Sequence, residues 1–189
     1  MTEITGSTAL WYASRATGVV SLLLLSLVVM LGILVNRQGR LPGLPSFAVT
    51  GLHRSLSLMS VLFVAVHVAT AIMDPFVRIG WAAAVLPLAS PYQALAIGLG
   101  ALAVDLGAAV LVTSLVRRRL GYRAWRAVHW LAYLAWPTAF GHAITAGTDL
   151  RIWWAALVLW GCAAAVGTAV IARLLAWLRG PGLPERGVS

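Results

Sequence analysis

Four histidines, His53, His67, His129 and His142, carry whatever metal chemistry this 189-residue chain can do. The first two lie in the apolar stretch GLHRSLSLMSVLFVAVHVATAIMD, residues 51–74, with thirteen residues between them. On a helix rising about 1.5 Å per residue, their imidazoles stand roughly 21 Å apart along the axis. Fourteen steps of about 100° fall roughly 40° short of four turns, so both rings leave one face. Ser57, Ser60 and Val64 lie between them on that face, a strip of small side chains against which a flat macrocycle can lie. His129 and His142 occupy a second segment of the same kind. An imidazole in hydrocarbon is costly unless its nitrogens are used, which makes it a functional candidate by default. Four such rings in two tiers read as a cage for two haems.

The elements that must position these rings are set by composition. The chain is 61% hydrophobic and only 10% charged, where a soluble domain carries about 25% charged residues. Its solvent is therefore a bilayer. The net charge of +9 comes from fourteen arginines without a lysine. They sit at the ends of apolar segments, where membrane orientation is encoded, and not on a clustered nucleic-acid face. The single cysteine, Cys162, excludes a disulfide frame and a thiolate metal cluster.

A bilayer core of about 30 Å needs roughly 20 apolar residues per helix. Five segments qualify, predicting an all-α bundle of five transmembrane helices. They cover residues 16–36, the His53/His67 helix, 92–116, 125–146 and 152–175. Residues 16–175 form the membrane domain, 1–15 an extracytoplasmic lead-in and 176–189 a cytoplasmic tail. The connection 74–91 carries an apolar patch, AAAVLPL, suited to the interface plane. Arg37, Arg40 and Arg54, then Arg117, Arg118, Arg119, Arg123 and Arg126, then Arg173, Arg179 and Arg186 fall on one side. Arg15, Arg78 and Arg151 fall on the other. The positive-inside rule puts the first group in the cytoplasm, with the N-terminus outside.

In that topology the two histidine-bearing helices are parallel. His53 pairs with His129 near the cytoplasmic face and His67 with His142 near the outer face. Two protein ligands per iron leave no open coordination position, so such haems pass electrons and do not readily activate oxygen. One detail resists: His129 and His142 are thirteen steps apart, leaving the rings about 140° out of phase on a regular helix. Pro137 lies between them and is expected to kink the helix or alter its winding. Ala132, Ala135 and Ala139 form a strip where a porphyrin can pack.

The His–thirteen–His and His–twelve–His spacings, with LHRSLSLMSVLFVAVHV and RRRLGYRAWRAVHWLAY, resemble the ferric reductase-like transmembrane domain. That superfamily includes ferric reductases, NADPH oxidases and the haem-binding membrane subunit of the bacterial methionine sulfoxide reductase system. The resemblance spans about Arg15 to Leu175. It implies b-type haem and electron transfer across a bacterial plasma membrane. The chain departs from the family in showing five helices where six are common, and in having no flavin or nicotinamide domain. The electron donor is then expected to be a separate flavin-bearing protein or a membrane quinone in its reduced form. The acceptor outside would be a flavin protein or ferric iron.

Other residues carry paired readings. Arg54 and Arg126 near the inner histidines, and Arg78 and Arg151 outside, suit haem propionates, or serve only as topology signals. Asp105, mid-helix, suits a neutral hydrogen-bonding group or a quinone or proton site. The GLG of Gly98–Gly100 copies part of a dinucleotide loop, but inside a membrane helix it reads as small-residue packing. Trp11, Trp81, Trp125, Trp153, Trp154 and Trp177 read as interfacial belts, and Trp130, Trp136 and Trp160 as core. Two rivals stand beside the electron conduit. One is a quinol-linked cytochrome b subunit of a larger dehydrogenase. The other is a non-redox protein whose histidines bind a transition metal or protons for transport.

Overall fold

A backbone in lipid must satisfy its own hydrogen bonds, and helices do this within one segment. The computed structural model, which describes residues 2–36, 45–75, 77, 79–147 and 152–179, is accordingly all-α. The helices are α1 (Thr2–Asn36), α2 (Ser46–Met73), α3 (Ala94–Leu115), α4 (Arg117–Leu120), α5 (Tyr122–His129), α6 (Ala132–Ala146) and α7 (Trp153–Leu178). Four of them, α1, α2, α3 and α7, are long and apolar enough to cross a membrane. The fifth expected span, residues 125–146, is present as two pieces. α5 and α6 meet at Trp130 and Leu131, and neither piece alone has the length of a span.

Three details of these elements add to the sequence expectations. α1 begins at Thr2, so the helix of the first span extends back through the residues that precede residue 16. The apolar connection between α2 and α3 is tied to both helices. Its short 3₁₀ turn, Trp81–Ala84, packs on α3 and touches α2, burying Ala83. The third concerns Pro137, which lies inside an unbroken α6. The change of winding comes one turn earlier. There the amides of Leu131, Tyr133 and Leu134 bond to the carbonyls of Val128, Trp130 and Leu131, three residues back instead of four. A proline ring clashes with the carbonyl four residues before it, here Tyr133, so its effect falls on the preceding turn.

α1 is the organising helix. It packs along α2 on one side and against α6 and α7 on another, while α3 packs along α5 and α6. Leu22 of α1 and Leu159 and Cys162 of α7 form the buried core, with Trp136 and Phe140 of α6 against it. Trp136 Nε1–H donates to Ser26 Oγ over 2.9 Å, and Ser26 Oγ–H donates to the Leu22 carbonyl over 2.7 Å. The Trp136 and Phe140 rings stack 5.1 Å apart. Of the three tryptophans expected in the core, only Trp136 belongs there. Trp130 and Trp160 are exposed, because depth along a membrane helix does not set which face a side chain leaves from.

Candidate functional site

The rings on α2 are held from α1. His53 Nδ1–H donates to the Val28 carbonyl over 3.1 Å, and His67 Nδ1–H to the Ser14 carbonyl over 2.7 Å. The later histidine meets the earlier α1 residue, so α1 and α2 are antiparallel. Each acceptor carbonyl lies four residues before a glycine, Gly32 and Gly18. One helical turn on, that glycine leaves room for the ring. A Cβ on Gly18 would lie 3.0 Å from His67 Cε1, and one on Gly32 would lie 3.4 Å from His53 Cε1.

His142 on α6 is held the same way from α3. Its Nδ1–H donates to the Ala96 carbonyl over 2.8 Å. Four residues on, a Cβ on Gly100 would lie 2.9 Å from His142 Nδ1. Gly98 instead makes room for the backbone of Leu88. The GLG triplet is thus helix packing, with one glycine committed to a histidine. His129, at the end of α5, differs from the other three. Its Nδ1 is buried with no hydrogen-bond partner, and its ring lies 4.9 Å from that of Trp125.

The four rings meet across the bundle in two pairs. His53 and His129 have ring centres 6.4 Å apart, and His67 and His142 have centres 6.1 Å apart. First faces first and second faces second, so α2 runs parallel to α5 and α6. The tight turn between α5 and α6 adds winding between His129 and His142, in the sense that reduces their phase difference. α2 does not pack closely against α5 or α6 through its backbone, so the rings reach towards each other over a gap. Ser60, between the two histidines on α2, is buried, and its Oγ–H donates to the Ser57 carbonyl over 2.8 Å.

These pairs fit a porphyrin-bound iron. A ring nitrogen lies about 2 Å from a bound first-row metal and about 1.1 Å from its own ring centre, so two imidazoles sharing one ion are centred about 6.2 Å apart. Both observed pairs match. The Nδ1–H bonds of His53, His67 and His142 leave Nε2 as the nitrogen with a free lone pair, which is how histidine ligands are usually oriented. Among the described residues no three His, Cys, Asp or Glu side chains converge as a metal site. Two donors per site suit an iron whose remaining positions a macrocycle fills.

Residues 17–140 match the model of the family described as ferric reductase like transmembrane component. The chain belongs to that family. Neither a curated protein nor a solved structure matches it. Family membership makes this ferric reductase-like chain a multi-pass component of membrane electron transfer, a role in which haem is the carrier.

The ferric reductase-like chain brings together all four expected ligands. Of the expected arginines, Arg54 is exposed beside His53. Arg126 is also exposed, and its Nη1–H donates to Tyr122 Oη over 3.2 Å. Arg78 and Arg151 lie outside the described residues. Asp105 is half-buried on α3. Sequence reasoning missed the carbonyl and glycine pairs that seat the rings. The signal was available, because Gly18 and Gly32 stand as far apart as His53 and His67. It also did not find that the Trp125 ring lies against His129.

Proposed function

We propose that this chain is a di-haem b-type cytochrome of a bacterial plasma membrane. His53 and His129 would hold an inner haem, and His67 and His142 an outer one. The observation that carries the reading is the matched pair of ring separations, 6.4 and 6.1 Å, at two levels of one bundle. A bound haem supplies reversible one-electron chemistry, and two axial imidazoles direct it to electron transfer. The chain itself sets the two sites roughly 21 Å apart along α2, a distance that divides the bilayer into shorter steps. At His53, His67 and His142 the Nδ1 bonds fix which ring nitrogen is offered. Arg54 and Arg126 would pair with propionates of the inner haem, and Arg78 and Arg151 with those of the outer.

Electrons would run from a cytoplasmic reduced flavoprotein to an extracytoplasmic flavin protein or ferric acceptor. The fifth span would be the broken α5–α6 segment, with the N-terminus outside and the C-terminus in the cytoplasm. The described arginines support this orientation. Arg54 and Arg126 flank the His53/His129 tier, and the Arg173 guanidinium lies 5.4 Å from the Trp130 ring beside it. Arg15 adjoins Ser14, whose carbonyl accepts from His67 at the opposite end. Donor identity is settled by offering a reduced flavoprotein and a quinol separately to the purified protein. Reduction by quinol alone would mark a quinol-linked subunit and make Asp105 the residue to test.

The deciding experiment is the haem content and spectrum of the purified full chain. About two haems per chain, with a low-spin spectrum that shifts on reduction, is expected. A preparation from haem-supplied cells without a Soret band overturns the proposal and favours a histidine-based metal or proton transporter.

A further inference from the structure

Three of the four histidines are seated by one repeated device, and the fourth is not. On α1 the device occurs twice: Ser14 with Gly18 for His67, and Val28 with Gly32 for His53. The two copies are fourteen residues apart, matching the spacing of the histidines they serve. On α3 it occurs as Ala96 with Gly100 for His142. Fourteen residues further along α3 stand Val110 and Ser114. This is where the device for His129 would fall, since α3 is antiparallel to the α5–α6 segment, as the Ala96–His142 and Ser114–Trp125 contacts show.

At that place the device has been replaced. Ser114 carries a side chain where the pattern has glycine. The Val110 carbonyl accepts from Thr113 Oγ1–H over 3.2 Å, and His129 Nδ1 is left without a partner. What His129 has instead is Trp125, four residues before it on α5. The two rings are 4.9 Å apart and inclined at 32°. Trp125 is in turn fixed from α3, its Nε1–H donating to Ser114 Oγ over 3.1 Å. The side chain that displaced glycine is the one that anchors the tryptophan.

We propose that Trp125, anchored by Ser114, is the positioning residue for His129, fixing that ring by its face where the other three are fixed through Nδ1. The inference rests on the di-haem reading above. An Nδ1–H bond to a carbonyl fixes both the tautomer and the rotation of a ligand ring, and makes the ring a stronger donor. An aromatic ring packed at a tilt restrains rotation but leaves the tautomer open. The His53/His129 tier is therefore the one whose ligand geometry depends on a side chain. Substitution at Trp125 or Ser114 acts on that tier alone.

The test compares Trp125→Ala, Trp125→Phe and Ser114→Ala in the full chain. Readouts are haem content and the low-spin electron paramagnetic resonance signals, which report ligand-ring orientation. The His67→Ala background isolates the tier containing His129. Trp125→Ala is expected to take haem content from about two per chain to about one, or to turn one haem high-spin, leaving the His67/His142 signal unchanged. Added imidazole should restore the low-spin state. Trp125→Phe keeps a ring face and should retain both haems. Ser114→Ala frees the tryptophan and should shift or broaden only the one signal. Two haems with unchanged signals in Trp125→Ala would overturn the proposal. So would loss of both tiers together, or a phenylalanine variant as damaged as the alanine one. Absence of haem from the wild type is a failure of the functional reading itself, seen before any variant is made.

Discussion

A Cβ on Gly100 would lie 2.9 Å from Nδ1 of His142, the atom that donates to the carbonyl one turn earlier at Ala96. The ring occupies the volume that any larger residue at position 100 would need. A helix face is thereby turned into a seat for an imidazole, and the backbone bond and the missing side chain act together.

Gly100→Ala is expected to expel the ring or bend the backbone, at the roughly 1–3 kcal/mol typical of overpacking. Haem content should fall towards about one per chain, with the His67/His142 tier lost. Gly32→Ala is the comparison. Its Cβ would reach His53 Cε1 only at 3.4 Å, so that variant should keep both haems. Pyridine haemochrome assay of the two proteins checks the contrast, and equal haem content in both would contradict it.

His67→Ala removes one ligand of the pair whose ring centres are 6.1 Å apart. We expect it to release the outer haem and leave most of the inner one, taking the assay from about two haems per chain to about one. An unchanged count would refute the assignment of that pair.

Pro137→Ala restores an amide and removes the ring that crowds the Tyr133 carbonyl. A regular helix gains about 3 kcal/mol from such an exchange. Here the gain would favour unwinding the tight turn between α5 and α6, swinging His129 out of phase with His142. The variant should therefore lose low-spin haem while remaining well folded. Retention of two haems with unchanged resonance signals would show that the turn does not depend on the proline.

Trp136→Phe deletes the donor to Ser26 Oγ in the α1–α6–α7 core and keeps the stack on Phe140. Ser26 still donates to Leu22, so the cost is one hydrogen bond, about 1 kcal/mol. Thermal unfolding in detergent should drop by a few degrees, with haem content and spectrum unchanged. A haem defect would move Trp136 from the core to the site.

Part of this design was legible without coordinates. The apolar segments are long because a bilayer admits only backbone that bonds to itself, and composition reports that directly. The face shared by His53 and His67 follows from a fixed angle per residue on an uninterrupted helix. That arithmetic broke down for His129 and His142, because the winding between them is not regular. Trp130 was misplaced for a related reason, since depth in a segment carries no information about which neighbour covers it.

The sequence by itself determined the helical membrane class, the four candidate ligands and their division into two levels, because each is a matter of residue type and local spacing. Only the tertiary structure decided which carbonyl meets each ring, why Gly18 and Gly100 must be small, and that His129 leans on Trp125. Those relations join residues up to 53 positions apart. They exist only when two helices lie at a given distance and rotation, which packing sets and local spacing cannot encode.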